Sequence, residues 1–524
     1  MFKLNIISLI ILIFSTQNFF AQEKKIEIIS ASSLGKDELL FPDANILKGS
    51  PNKQVHLRHD EMDIFSNNAI FFQRKNKFIA TGDVFLKQGD SLELKCDSLN
   101  YDGKIKKFFS YGKVYLINNK TTLNSNELLY DRKQNVASFF NGGNIIDSLT
   151  TIQSKKGDYL LEIDKYKFRN DITITNPDYI IESESLDYIV GEEKTYFKDS
   201  TKITGDSYQI TCNRGFYDGK LMKGHFLDNA KILLNERIIR GDSIFFDDEM
   251  KYASATKNIS IFDRNEKLQI LGEFAELFEK KDSAIVTKNP VAINTSEIDS
   301  LFISADTLYS VGDKENRIIK GLNNVKFFKK NMSGKSDFIL INENRGLTRL
   351  IRKVLEKKEL QVLSQEQINM LNPIIWDGNS QISGDEIILK ENNETNRLDS
   401  LIVTNNGFIV EEDTLGIDNY NQIKGIKILG KFFKGKIKSL KVDQNAEIIY
   451  HMYDDDNELI GVDKAVSSSI MITMSEKGID KIRFITDPEG ILYPEDFLDK
   501  NEKFLEGFIN RQNEKINDKS DLFE

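Results

Sequence analysis

One piece of text returns along this chain at a fixed interval, and that interval constrains the fold more than any other feature. Gly89-Asp90-Ser91-Leu92-Glu93-Leu94-Lys95-Cys96-Asp97-Ser98-Leu99-Asn100-Tyr101 is answered 116 residues later by Gly205-Asp206-Ser207-Tyr208-Gln209-Ile210-Thr211-Cys212-Asn213-Arg214-Gly215-Phe216-Tyr217, four times 29. Copies fill the gaps: Leu123, Asn126, Leu128 and Tyr130, then Ile181, Glu184, Leu186 and Tyr188, then Ile239, Asp242, Ile244 and Phe246. A second motif, a small or polar residue before an apolar one, recurs between them. It reads Gly82-Asp83-Val84, Gly112-Lys113-Val114, Gly143-Asn144-Ile145, Asn170-Asp171-Ile172, Lys257-Asn258-Ile259 and Asn323-Asn324-Val325. Such a period marks a stacked architecture, in which no unit buries its apolar face alone.

Within a unit the apolar residues alternate with period two, which is strand patterning. Val84 and Leu86 share a face, as do Leu92, Leu94 and Cys96, whereas Leu99 and Tyr101 fall on the other parity. The switch at Asp97-Ser98 requires a corner or bulge, where a short polar side chain can bond its own backbone. Nine or ten units of turn, strand, turn and strand run from about residue 56 to 345. Cys96 and Cys212 hold one slot four units apart. Even one strand spacing per unit separates them by roughly 19 Å, so no disulfide joins them.

The remaining text divides around this array. Residues 1–21 read as a signal peptide, with Lys3, the apolar run Ile6–Phe14 and a cut after Ala21. The β-repeat domain is placed at 22–345. Residues 346–372 read as a helical insertion, because Leu347, Leu350, Ile351, Val354 and Leu355 follow helical spacing and Pro373 ends it. Strand text resumes over 373–490. The tail, 491–524, carries Phe497, Leu498, Phe504, Leu505 and Phe508 in a short amphipathic helix before a polar end. The net charge of −10 argues against a nucleic-acid surface.

Three motifs invite chemistry and lose it on inspection. Gly89-Asp90-Ser91-Leu92 spells a lipase and esterase nucleophile block, but the text recurs at Gly205, Gly241 and Gly384, whereas a catalytic serine is unique. His56 and His59 point to opposite faces of a strand and read as solvated polar text. Asp454-Asp455-Asp456-Asn457-Glu458 lacks the glycine and closing glutamate of a calcium loop and reads as a hairpin tip. No enzyme signature, metal site or cofactor site is found.

The ordered slots Ala80-Thr81-Gly82-Asp83-Val84, Gly89-Asp90-Ser91-Leu92 and Asp97-Ser98-Leu99-Asn100-Tyr101 resemble the OstA-like domain. That domain is shared by periplasmic lipopolysaccharide-transport proteins of the LptA type and by the outer-membrane translocon LptD. The resemblance runs over roughly residues 25 to 340. Later text, such as Asn421-Gln422-Ile423-Lys424-Gly425 and Tyr493-Pro494-Glu495-Asp496, is similar to long OstA-like proteins of Gram-negative bacteria. It implies an all-β fold, an elongated repeat of β-jellyroll or β-taco type, here with a helical insertion and a short C-terminal helix. It further implies a periplasmic, non-enzymatic protein that shelters acyl chains in an apolar trough and bridges toward the outer membrane. The implied partners are lipopolysaccharide or lipid A, translocon and inner-membrane transport components joined by edge-strand addition, and further copies stacked end to end. The alternating positions Val84, Leu86, Leu92, Leu94, Val114, Leu116, Ile210, Ile232 and Leu234 are the candidate lipid-binding interior. The rows Tyr101, Tyr130, Tyr188, Tyr217 and Phe246 read as a structural ladder. A structural β-solenoid scaffold with a filled interior and no lipid is the competing reading.

Overall fold

In a computed structural model the chain is almost entirely β, and every recorded strand pairing is antiparallel. The structure describes residues 24–523 apart from 120, 266, 296–299, 313–315, 331, 393, 396, 417, 435, 476–477 and 495–501. The signal-peptide reading of 1–21 therefore lies outside the described residues. The described residues fall into two compact units, one up to residue 201 and one from residue 202.

The repeat becomes a folded ribbon. In the first unit the strand Lys77–Gln88 breaks between Thr81 and Val84, so its halves belong to two wings. We call wing A the half carrying Phe78 and Ala80, and wing B the half carrying Val84 and Leu86. The break is made by two consecutive left-handed residues, Gly82 (φ 75°) and Asp83 (φ 45°). The same device recurs as Gly112-Lys113 and Asn170-Asp171 in this unit. In the second unit it recurs as Asp228-Asn229, Lys257-Asn258, Lys288-Asn289, Asn323-Asn324, Asn405-Asn406 and Gln444-Asn445. Positive φ costs a residue with a Cβ, least for Asn and Asp, which explains why Gly and Asn crowd this slot. The neighbouring strand Leu92–Asp102 meets each pair of left-handed residues with one odd residue, Asp97, and its parity changes there as the alternation implies. Side chains pin the corners: Asn67, Asn258, Asn324 and Asn406 donate to Asp83, Asp242, Asp306 and Asp385 at 2.9 to 3.2 Å.

The glycine-aspartate texts therefore divide between two places. Gly89 (φ 62°) and Gly205 sit at hairpin turns, whereas Gly241 and Gly384 sit at corners. Neither is a single turn-and-strand slot, and neither presents a unique serine.

The cysteine slot has a local explanation. Cys96 Sγ faces the carbonyl of Ser98 at 3.2 Å. Ser66, Ser125, Ser154, Ser183 and Ser336 make the same contact to the carbonyl two residues on. Cys96 and Cys212 are free, buried thiols, and burial pushes both pKa values up to about 12.

Two expectations need correction. Helical spacing at Leu347, Leu350 and Ile351 is misleading: Leu347–Ile351 is a strand, paired with Met332–Asn342 and Glu386–Asn392. Only after it come two short helices, α1 (Lys357–Val362) and α2 (Gln365–Met370), the latter opened by a capping box of Ser364 and Gln367. An amphipathic strand flanked by Arg and Lys and a helix share this apolar spacing over five residues, and strand pairing decides between them. The tail holds no α-helix among the described residues. Phe497 and Leu498 lie outside them, and from Lys503 the chain is irregular, with a turn at Glu506-Gly507 closed by Phe508 N–H on the Leu505 carbonyl and 3-10 turns at Gln512–Glu514 and Lys519–Leu522.

That tail is a strap on the outer face of wing B in the second unit. Gln422 donates to the Lys503 carbonyl and accepts from Leu505 N–H, both at 2.8 Å. Gln381 does the same with Ile509 and Arg511. Each glutamine mimics a peptide group and so reads the backbone of the tail. Leu505 enters a cluster with Phe408, Val410, Ile449 and Val462, and Phe508 packs against it. The strands beneath are consequently buried on both faces.

Candidate functional site

Strand register lines the inward apolar residues up across each unit. In the first unit Leu57, Ile64, Leu86, Leu94, Leu116, Leu123, Ile145, Ile152, Ile174 and Ile181 stand directly opposite one another on wing B. Each is at most 1% exposed, so this is a continuous aliphatic row closed to water. Wing A carries an aromatic row in register: Phe71, Phe78, Tyr101, Phe108, Tyr130, then Tyr159, Tyr166 and Tyr188. Phe78 and Tyr101 have ring centroids 5.3 Å apart, Phe108 and Tyr130 5.1 Å, and Tyr159 and Tyr166 stack at 4.1 Å. The second unit repeats the aliphatic row through Ile210, Ile232, Ile239, Ile261 and Ile270.

All nine interior candidates are buried. Val84, Leu86, Leu92, Leu94, Val114 and Leu116 lie on wing B of the first unit, and Ile210, Ile232 and Leu234 on that of the second. These positions are closed to water, although Leu234 also lines a cavity in the second unit.

The wings are joined covalently and by backbone hydrogen bonds at the corners. At their free rims they meet through side chains. In the first unit Lys106 Nζ lies 2.7 Å from Asp60, and Arg132 donates to Gln88 and to the Tyr101 hydroxyl. Asn118 donates to Tyr159, whose hydroxyl donates to Asp164 at 2.8 Å, and Tyr188 donates to Asp147 at 3.0 Å. In the second unit Asn235 meets Glu279, Arg237 meets Asp282, Asn294 meets Glu343 and Lys329 meets Glu391. We call this line of contacts the seam.

His59 belongs to the seam and corrects the reading of solvated text. It is 1% exposed, its Nε2 donates to the Lys24 carbonyl at 2.8 Å, and its Nδ1 accepts from the Tyr101 hydroxyl at 2.5 Å. Burial holds its pKa below the ordinary 6.5, so the ring is neutral. Burial also raises Tyr101, to about 12. His56 is partly buried, stacked on Phe65 and 2.6 Å from Asp63. The Asp454 segment is a hairpin tip, its Asp454 carboxylate accepting from Asp456 and Glu458 N–H. Among the described residues no group of three His, Cys, Asp or Glu is placed to hold a metal ion.

The seam escaped the repeat analysis because most of its partners are offset by about one and a half periods. His59–Tyr101, Asn118–Asp164, Asp147–Tyr188, Asn235–Glu279 and Asp60–Lys106 are separated by 41 to 46 residues. A search for polar pairs at that offset would have found it.

Residues 23–184 match the family described as OstA-like protein. That family serves lipopolysaccharide transport in general, is a transport and binding family, and its proteins are periplasmic in Gram-negative bacteria. No curated protein matches the chain. The resemblance read from 185 to 340 lies outside the matched segment, although corner and ladder continue there without change of pattern.

Proposed function

We propose, with the OstA-like character of residues 23–184 as the premise, that this protein binds lipopolysaccharide by its acyl chains and passes it across the periplasm. One observation carries the reading. An unbroken aliphatic row lines wing B of the first unit, and among the described residues the rim opposite the corners is held by contacts in which a side chain always takes part. Parting the rims breaks hydrogen bonds and ion pairs, each of net worth around 1 kcal/mol, and uncovers the apolar inner faces at roughly 25 cal/mol per Å2, a cost that acyl chains filling the gap offset, while the ladders stay intact. The gain for the incoming lipid is about 0.8 kcal/mol per buried methylene. Val84, Leu86, Leu92, Leu94, Val114, Leu116, Ile210, Ile232 and Leu234 would contact the chains. The exposed ends of such a ladder suit strand addition by translocon or inner-membrane components, or by another copy. Its work is binding and transport, with no chemical step.

The closure of the interior to water favours a second reading, a scaffold that holds its wings shut and binds no lipid. Titration of the chain lacking residues 1–21 with lipid A separates the two. Saturable binding, weakened at least tenfold by Leu116→Asp in a folded protein, supports transport. Absence of binding supports the scaffold.

A further inference from the structure

One stretch of the seam in the second unit closes on unsatisfied charge. Wing B supplies Glu236, Arg237 and Asp263 at its rim, wing A supplies Glu279, Asp282 and Arg317, and a cavity of about 390 Å3 lies between them. Three contacts cross the gap. Asn235 donates to Glu279 at 2.9 Å, Arg237 lies 2.6 Å from Asp282, and Arg317 Nη2 lies 3.5 Å from Asp263. They leave a remainder. Arg317 is 4% exposed, and its Nε and Nη1 donate to nothing. Glu279 Oε2 is likewise buried and accepts from nothing. Among the described residues these are the only charged side chains with such atoms, and none of the seam side chains named above for the first unit has one.

The lining is also net negative. Two carboxylates on each rim, Glu236 and Asp263 against Glu279 and Asp282, face only two guanidiniums. A buried charged atom without a partner carries its full desolvation cost, which water would relieve. A void between the walls forfeits the dispersion contacts that closure gains elsewhere. Along the rest of the seam, opening exchanges satisfied hydrogen bonds for hydrated ones. Here it also hydrates three bare atoms and moves like charges apart, so the balance leans furthest toward opening at this stretch. Leu234 and Leu277, which line the cavity, are inward residues of the two wings, 6% and 3% exposed, so its apolar wall belongs to the interior. We propose that the rims of the second unit part first at this cavity, which makes it a port through which the interior is reached. Entry of an acyl chain by this port rests on the function proposed above, and the opening itself does not.

The two native thiols read the opening of each unit. Cys212 stands four residues along its strand from Tyr208, which pairs with Leu234 at the rim, and Cys96 stands four residues from the rim end of its own strand at Leu92. Both are free, buried and alike in their raised pKa, so a difference in reactivity reports access. The chain lacking residues 1–21 is treated with iodoacetamide, without lipid, and alkylation at each cysteine is followed by mass spectrometry. Cys212 should react at least tenfold faster than Cys96, at a rate that hardly changes in urea well below the unfolding transition, as local opening requires. Glu279→Gln keeps the acceptor for Asn235 and removes a bare charge, so it should slow Cys212 at least threefold. Arg237→Met removes the ion pair to Asp282 and should speed Cys212 at least threefold. Neither should move Cys96. Equal rates at the two cysteines, a Cys212 rate that tracks global unfolding, or one that either substitution leaves unmoved overturns the port. Lipid A binding sensitive to Leu116→Asp would stand even then, and a port without lipid binding would stand in the opposite case.

Discussion

At the scale of single residues, the corner slot governs what the chain tolerates. Gly112 has φ 70°, and a Cβ there would run into the Asp97 carboxylate. Gly112→Ala should therefore destabilise the first unit by about 1–3 kcal/mol, measured by denaturant unfolding. Cys96→Ser should be nearly neutral, within about 1 kcal/mol, because serine fills that slot elsewhere and its hydroxyl finds the same carbonyl. A large loss in Cys96→Ser would break the equivalence of the slots. His59 sets a pH dependence. Its folded pKa lies below the unfolded 6.5, so below that value the unfolded chain takes a proton that the native ring refuses. Stability of the first unit should fall as pH drops from 7 to 5, and His59→Gln should flatten that slope, read from hydrogen exchange in Val55–Ser66. Asp187 acts lower. Although burial raises its pKa, Lys165 and Lys198 bring it below 3.8, and its contribution is lost as pH falls through that range.

At the scale of elements, the strap is the part with most to lose from one substitution. Leu505→Ala should cost about 2–4 kcal/mol, since it empties a cluster shared by three strands. The measurement is a chemical melt of the full chain, and a cost below 0.5 kcal/mol would mean that the strap is not held by its apolar anchors. The strap also shows where sequence reading stops. Strands were legible because Val84, Leu86, Leu92 and Leu94 alternate, and the parity change at Asp97 located the corner. The strap was not legible, because Leu505 and Phe508 carry a helix-like spacing while their backbone is claimed by Gln422 and Gln381, more than 80 residues away. Likewise Leu347, Leu350 and Ile351 match a helix until pairing with Phe338 and Glu386 decides otherwise. Local periodicity reports which face is apolar, and only the partner strand reports the backbone state.

At the scale of the whole molecule, each unit is by itself a pair of wings latched at the rim by side chains, with an aliphatic row on wing B of both and an aromatic row on wing A of the first. That the interior candidates are buried was legible from alternation alone. The seam was not, because its partners across the rims stand 41 to 62 residues apart and obey no single 29-residue step. The most direct test places photo-crosslinking residues at Leu94, Leu116 and Ile210, inside, and at Glu93, Tyr115 and Gln209, outside, in cells that export the protein. Transport through the parted seam predicts lipopolysaccharide adducts at the three inside positions and none at the outside ones. A folded protein with no adducts at Leu94, Leu116 or Ile210, or with equal adducts inside and out, would contradict it.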